Sequence, residues 1–223
     1  MFRALVDSSG GQLRFTALGM YSCPFVDIRT SSADPGLQNA CPDRKQLEIA
    51  NINELKPDLL FVTNAPNDYK NVDTGKVITA SEYQAGLTRT LEQVAPAVGK
   101  ILTLAAPPAD KDVRECYSPR TSPADCVSTV PARWKAFGSA DAKVVASLDG
   151  VHIDSRPLFC VSDRCPAFVA SIPVKVDTTH ITREYGRHIY PALVALLAEN
   201  GVSLTPQAEA DSPQSEAVDS GGS

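Results

Sequence analysis

The sequence has no apolar run long enough for a membrane-spanning helix, which needs about 20 such residues. Its first residues reach Asp7 before an apolar segment develops, so they do not resemble a signal peptide. Positive charge is also scarce, because 21 Lys and Arg against 26 Asp and Glu leave a net charge of -5. Binding to nucleic acid needs a basic surface, so nucleic acid is not an expected partner.

Motifs for metals and cofactors are also lacking. The cysteines never occur as C-x-x-C, the three histidines are scattered, and there is no phosphate loop or nucleotide fingerprint. We therefore expect no metal and no organic cofactor. With 223 residues, of which 43% are hydrophobic and 21% charged, the chain has the composition of one soluble globular domain with a sizeable core.

Six cysteines fall into three couples that are close in sequence, each around a Pro-, Ser- or Asp-rich stretch that a disulfide would staple. The couples are Cys23 with Cys41, Cys116 with Cys126, and Cys160 with Cys165. Local pairing is the favoured interpretation, although the sequence leaves other pairings open and six buried free thiols are the cytosolic alternative. Disulfides indicate an extracytoplasmic domain. Because no export signal is present, we expect an upstream segment to be missing.

Hydrophobic periodicity predicts strands and helices in alternation. The predicted strands are 13–18, 59–62, 101–105 and 143–148, and the predicted helices are 1–6, 44–53, 81–98, 132–137 and 182–199, with a loop over 23–43 and irregular strands over 151–176. This order predicts an α/β fold with a doubly wound, mostly parallel sheet and helices on both faces. Residues 1–202 form the predicted domain, and 203–223 form a disordered tail.

A pair of residues that precedes the last predicted helix has the spacing of a catalytic pair. His180 is suited to moving protons near neutral pH, and a carboxylate at Asp177 can accept its Nδ1 hydrogen and fix the tautomer. The local pattern leaves a second interpretation open, in which Asp177 or Thr179 caps the helix and His180 is an ordinary surface residue.

Short motifs along residues 1–198 resemble the SGNH hydrolase superfamily, and specifically the SGNH domains fused behind membrane-bound acyltransferase-3 domains in actinobacterial cell-envelope enzymes. The motifs are Val176-Asp177-Thr178-Thr179-His180-Ile181-Thr182 with Tyr185, the Ser22-Cys23-Pro24 turn, the Asn64 turn, Pro107-Pro108, and the Cys160–Cys165 couple. The resemblance implies a three-layer sandwich in which Asp177 and His180 belong to a Ser-His-Asp triad.

The nucleophile that this resemblance implies is not found. Family members place an apolar strand and a Gly-Asp-Ser block before the first helix, whereas here the chain begins inside that helix. Ser8 and Ser9 imitate the block, but only Gln12 separates the following glycines from the next predicted strand, which leaves no room for a helix. We therefore expect the first strand and the nucleophilic serine to be absent, and this chain to have little activity.

The resemblance also implies an oxyanion hole made by an asparagine amide and a backbone N–H near a glycine. Asn64 is the choice for the amide, with Asn67 as the alternative, and Gly19 is the choice for the backbone donor. The sequence departs from the family at Ser22, which stands where a glycine usually precedes Cys-Pro. Trp134 is interpreted either as a core residue or as part of a sugar site.

The function implied is an O-acyltransferase or esterase acting on acyl esters of cell-envelope glycans or glycolipids. In the intact protein, a membrane acyltransferase domain upstream would deliver the acyl group, and the domain would be extracytoplasmic and attached to the membrane through the missing region. A glycan-binding pseudoenzyme without catalysis is the alternative, and a fragment that does not fold is a third possibility.

Overall fold

A computed structural model describes residues 2–19 and 21–204. The tail predicted for 203–223 therefore lies, beyond Leu204, outside the described residues and stays a prediction. In chain order the elements are α1 (Phe2–Ser8), α2 (Pro35–Leu55), β1 (Leu59–Val62), α3 (Ala80–Glu92), β2 (Lys100–Leu104), α4 (Val113–Cys116), β3 (Ser128–Thr129), α5 (Ala132–Ala146), β4 (Val151–Ile153), β5 (Arg164–Cys165), β6 (Phe168–Val169), β7 (Ile172–Pro173) and α6 (Arg183–Glu199).

The central sheet consists of three parallel strands in the order β1-β2-β4. Leu60 lies opposite Ile101, and Leu102 lies opposite Val151. Each connection contains a helix, α3 between β1 and β2 and α5 between β2 and β4, as parallel strands require. The predicted α/β class is confirmed.

Helices cover both faces of this sheet. Ile101 points into a core that residues of α2, α3 and α5 complete, whereas its neighbour Leu102 points into a second core built largely by α6. Successive residues of a strand point to opposite faces of the sheet, which explains this alternation. Both faces of the sheet carry apolar side chains and are covered by helices. Leu87 of α3 and Leu193 of α6, one in each core, are completely buried.

Helix α2 starts nine residues before the predicted position at Arg44, inside the segment expected to be a loop. Asp34 caps it, since its carboxylate accepts hydrogen bonds from the N–H groups of Gly36 and Leu37, and Pro35 occupies the first turn, where its missing N–H costs nothing. The loop prediction was wrong because Asp and Pro at this position mark a helix start.

Helix α3 starts as expected but ends earlier. Thr79 and Glu82 form a capping box at its N-terminus. The helix stops at Glu92, not at Val98, because Pro96 cannot continue it and lies instead in a 3-10 helix.

The strand predicted over 143–148 is wrong, because α5 continues through most of it to Ala146. Val144 and Val145 are 2% and 1% exposed, so this apolar run is buried on a helix. A short apolar run does not by itself distinguish a buried strand from a buried helix. The next strand of the sheet is β4, which has only three residues.

The strand predicted over 13–18 is not formed either. Most of these side chains are exposed, and no strand among the described residues lies beside the segment to supply a ladder of hydrogen bonds. Its contact with the fold includes Phe15, whose ring stacks on that of Phe2 at a centroid distance of 5.3 Å. The helix predicted just before it is confirmed as α1.

All six cysteines form disulfides, and the local pairing is confirmed. The bonds are Cys23–Cys41, Cys116–Cys126 and Cys160–Cys165. Within residues 2–19 and 21–204, no helix combines the length and the hydropathy that crossing a bilayer would need.

Candidate active site

The strands β1 and β2 end at a cavity of about 850 Å³. Its walls come from residues 21–24, from the segment 63–69 that follows β1, from 106–107 after β2, and from 178–180. The carboxyl edge of a parallel sheet is where ligands bind in such folds. In the part of the chain that the structure describes, no three His, Cys, Asp or Glu side chains are grouped so as to hold a metal ion.

Asp177 and His180 form a hydrogen-bonded pair at this cavity. The Nδ1 atom of His180 lies 2.8 Å from Oδ2 of Asp177, while Oδ1 of Asp177 accepts the backbone N–H groups of His180 and Thr179, both at 2.8 Å. These two N–H donors, together with the imidazole, hold the pKa of Asp177 well below its ordinary value. The carboxylate therefore stays charged at neutral pH and can keep the hydrogen of His180 on Nδ1, which leaves Nε2 to accept a proton.

The capping interpretation of this turn is wrong. Thr182 is the N-cap of α6, and its hydroxyl oxygen accepts a hydrogen bond from the N–H of Tyr185 at 3.1 Å. The turn closes on itself, since the N–H of Val176 donates to the carbonyl of His180 at 2.8 Å. Asp177 is therefore free to bind the imidazole and the backbone of its own turn.

A buried ion pair anchors this turn to the segment that follows β2. The ammonium group of Lys175 lies 2.7 Å from the carboxylate of Asp110 and also donates to the carbonyl of Pro108. The backbone N–H of Asp110 donates to the carbonyl of Thr178 at 2.8 Å. Burial lowers the pKa of Lys175 and raises that of Asp110, and the attraction between the two opposes both shifts. No sequence pattern predicted this pair, because its members are far apart in the chain.

Both asparagines considered for the oxyanion hole line the cavity. Oδ1 of Asn64 accepts the N–H of Phe25 at 2.8 Å, and its Nδ2 donates to the hydroxyl of Tyr83 at 3.2 Å. The amide of Asn67 is exposed and has a long bond of 3.4 Å to the hydroxyl of Tyr69. The amide of Asn64 is thus held on two sides, and its catalytic role stays a prediction.

The structure places Gly19 beside a different, smaller cavity of about 210 Å³, which Asn64 also lines. The turn at the larger cavity comes two residues later and includes Ser22, whose φ of 56° is in the left-handed region that glycine favours. Ser22 therefore adopts the conformation suited to the glycine that the resemblance led us to expect there. The role of Gly19 as a donor stays a prediction.

Arg133 and Trp134, at the start of α5, support the cavity wall. The guanidinium of Arg133 donates to the carbonyls of Pro66 at 3.1 Å and Asn67 at 2.8 Å. Trp134 is 5% exposed, and its indole N–H donates to the carbonyl of Ala106 at 2.6 Å. Trp134 is therefore both a core residue and part of the cavity lining.

A parallel α/β sheet with an Asp-x-x-His turn at its carboxyl edge defines an SGNH-type domain. The sequence model of the family described as "SGNH domain (fused to AT3 domains)" matches residues 1–195. The chain belongs to this family. No curated protein matches its sequence.

Several solved structures are similar to this fold. The periplasmic domain of a lipopolysaccharide acetyltransferase from Salmonella ser. Paratyphi A aligns over 86% of this chain and 76% of its own, with 14% identity and a TM-score of 0.63. An acetylxylan esterase from Geobacillus stearothermophilus aligns over 72% and 68%, with 13% identity and a TM-score of 0.46. A protein described as a putative arylesterase from Agrobacterium tumefaciens aligns over 78% and 75%, with 19% identity and a TM-score of 0.46.

Proposed function

We propose that this domain acts on acyl esters, as an O-acyltransferase or esterase, with Asp177 and His180 as two members of a Ser-His-Asp triad. The observation that carries the proposal is the 2.8 Å contact between Asp177 and His180, at the rim of a cavity that Asn64 also lines. This arrangement provides an oriented base together with a nearby amide donor.

The proposed reaction has two halves. A serine hydroxyl attacks the ester carbonyl while Nε2 of His180 takes its proton, and the amide of Asn64 donates to the oxyanion of the tetrahedral intermediate, with a backbone N–H at Gly19 as the expected second donor. The C–O bond to the leaving alcohol breaks, His180 returns the proton to that alcohol, and an acyl-serine remains. A second hydroxyl, from a sugar or from water, then repeats the sequence on the acyl-serine and releases the serine.

The serine itself is proposed to lie outside the described residues. Among those residues, Ser22 is the only serine in the cavity lining. Among the described strands, none pairs with the outer edge of β1, and the smaller cavity is lined both by residues of β1 and by Thr16 and Leu18. Buried Glu48 lines this cavity, and its Oε1 has no hydrogen-bond partner among the described atoms. We propose that one further strand along β1 fills this cavity, pairs the free edge of β1 and brings its carboxyl end to the edge of the sheet where His180 lies.

Substrate, partner and location are proposed from the relatives. The family is one of domains fused to AT3 domains, so we propose a membrane acyltransferase domain in the same protein as the source of the acyl group. A similar domain is the periplasmic part of a lipopolysaccharide acetyltransferase, which supports a glycan or glycolipid of the cell envelope as acceptor. Three disulfides favour an oxidising compartment outside the cytoplasm, with attachment to the membrane through the partner domain.

Hydrolysis of p-nitrophenyl acetate tests the proposal. Residues 1–223 should be almost inactive, whereas the protein extended by a strand ending in Gly-Asp-Ser should be active and should lose about a thousandfold in kcat on His180→Ala. If residues 1–223 are active and Ser22→Ala removes that activity, the nucleophile is Ser22 and the added-strand proposal is wrong.

The alternative function is a glycan-binding module without catalysis, favoured by the absence of a serine other than Ser22 from the described cavity lining. It predicts that the extended protein stays inactive, and that envelope polysaccharide binds equally well to the unchanged protein and to Asp177→Asn.

A further inference from the structure

The amide of Asn64 is the outer end of a buried chain of hydrogen bonds. Its Nδ2 donates to the hydroxyl of Tyr83 at 3.2 Å, and that hydroxyl donates to Oδ1 of Asp141 at 2.8 Å. Tyr83 is 2% exposed and Asp141 is 7% exposed. This series of hydrogen bonds thus runs from the cavity into the interface between α3 and α5.

The donor and the acceptor of each hydrogen bond in this series follow from the N–H of Phe25. The N–H of Phe25, 2.8 Å away, needs an acceptor, so Oδ1 of Asn64 faces Phe25 and Nδ2 faces Tyr83. Nδ2 donates, so the oxygen of Tyr83 accepts, and its own hydrogen goes to the carboxylate of Asp141. One N–H of Asn64 is left without a partner among the described atoms.

Packing alone does not explain these polar groups. The ring of Tyr83 packs on that of Phe137 with centroids 4.3 Å apart, and a phenylalanine would make the same contact. A carboxylate at 141 costs free energy to bury, so an apolar residue there would be more stable. Groups retained at such a cost, next to a cavity, are typical of functional sites.

We propose that Tyr83 and Asp141 are positioning residues that hold the amide of Asn64 so that its remaining N–H is available to the reacting oxygen. The catalytic half of this inference rests on the proposed function, whereas the orientation of the amide does not.

The titration of Asp141 makes the inference measurable. Burial raises its pKa to about 7, although the hydrogen bond from Tyr83 opposes the shift. Burial, and then the nearby charge of Asp141, also raises the pKa of Tyr83 well above 10, so Tyr83 keeps its hydrogen. Tyr69 is a further titratable group that acts on Tyr83. A neutral Asp141 is a weaker acceptor, so gain of a proton near pH 7 weakens the restraint on Asn64.

The test is NMR of the side-chain amide of Asn64 in the ¹⁵N-labelled chain. We expect its resonances to shift with a midpoint near pH 7, and the shift to vanish in Asp141→Asn. In Tyr83→Phe the hydrogen exchange of this amide should become about fivefold faster or more, the effect of losing one hydrogen bond. Tyr190→Phe removes a hydroxyl from α6 and is the matched control, in which neither property changes.

An amide of Asn64 that neither titrates in the unchanged chain nor responds to Tyr83→Phe would overturn the inference. Asparagine is close in shape to aspartate, so Asp141→Asn should fold even if Tyr83→Phe does not. The test then rests on whether Asp141→Asn abolishes the pH-dependent shift of the Asn64 amide. In the extended, active protein both variants should lower kcat about tenfold or more with little change in KM, as expected when a transition-state donor is misplaced. If that protein is inactive, the proposed function fails while the NMR result still stands.

Discussion

Lys175, two residues before the catalytic carboxylate proposed at Asp177, forms an ion pair with Asp110, and the two side chains are 1% and 2% exposed. The pair joins the segment after β2 to the Asp-x-x-His turn, which gives the turn a rigid base in the core. A surface turn held only by its own hydrogen bonds would place His180 less accurately.

Removing one member of this pair should destabilise the domain strongly. Lys175→Met leaves the buried carboxylate of Asp110 without its partner, and we expect a loss of about 3–5 kcal/mol in the free energy of unfolding. Urea denaturation measures it. Lys135→Met breaks a surface pair with Asp163 and should cost less than about 1 kcal/mol. Equal losses in the two variants would show that the buried pair has no special role.

Asp177→Asn should impair catalysis more than folding. The amide can offer a hydrogen to Nδ1 of His180 and so favour the wrong tautomer, and we expect kcat of the extended protein to fall by roughly 10²–10⁴. The measurement is ester hydrolysis, alongside thermal denaturation. Asp73→Asn, which breaks a surface contact with Arg29, is the matched control and should keep full activity. A modest, equal loss in both variants would remove Asp177 from the triad.

Stability should depend on pH through Asp141. Its pKa is about 7 in the folded state and about 4 when unfolded, so between these values the folded state binds more protons. The free energy of unfolding should therefore fall as pH rises from about 4 to 7, by an amount on the order of a few kcal/mol.

Urea denaturation at pH 5 and pH 8 measures this fall, and Asp141→Asn should abolish the part that Asp141 causes. Tyr83→Phe removes a hydrogen bond that lowers the pKa of Asp141 in the folded state, so the fall should still begin near pH 4 but extend to higher pH. Identical pH dependence in all three proteins would contradict the assignment.

Two glycines should respond oppositely to alanine. A Cβ at Gly150 would lie 2.6 Å from the carbonyl oxygen of Ile101 on β2, so Gly150→Ala forces backbone to move and should cost about 1–3 kcal/mol. A Cβ at Gly138 in α5 would meet nothing closer than 3.5 Å, and alanine there should stabilise by about 0.5–1 kcal/mol. Thermal denaturation of both variants checks the pair.

Short-range patterns could be read from the sequence, whereas contacts between distant residues could not. Asp177 and His180 are three residues apart, so their pairing was predictable, and the disulfides likewise join neighbouring cysteines. Tyr83 and Asp141 are 58 residues apart, and only the packing of α3 on α5 brings them together.

Errors in the predicted elements have the same origin. The run around Val144 was interpreted as a strand because its composition is apolar, yet its place in the sheet is taken by β4. The segment around Phe15 has the pattern of a strand, but a strand also needs a neighbour, and none is described beside it. Pattern indicates what a segment can bury, and tertiary structure decides where it does so.

The disulfides join the first cysteine of the chain to the second, the third to the fourth and the fifth to the sixth, with separations of 18, 10 and 5 residues. A chain that emerges from a pore with its N-terminus first can therefore complete each bond before the following cysteine appears, and simple oxidation in order yields the native set. Such a chain has little need of an isomerase to exchange wrong partners. Oxidative refolding of the fully reduced protein should regain native pairing by the same local route.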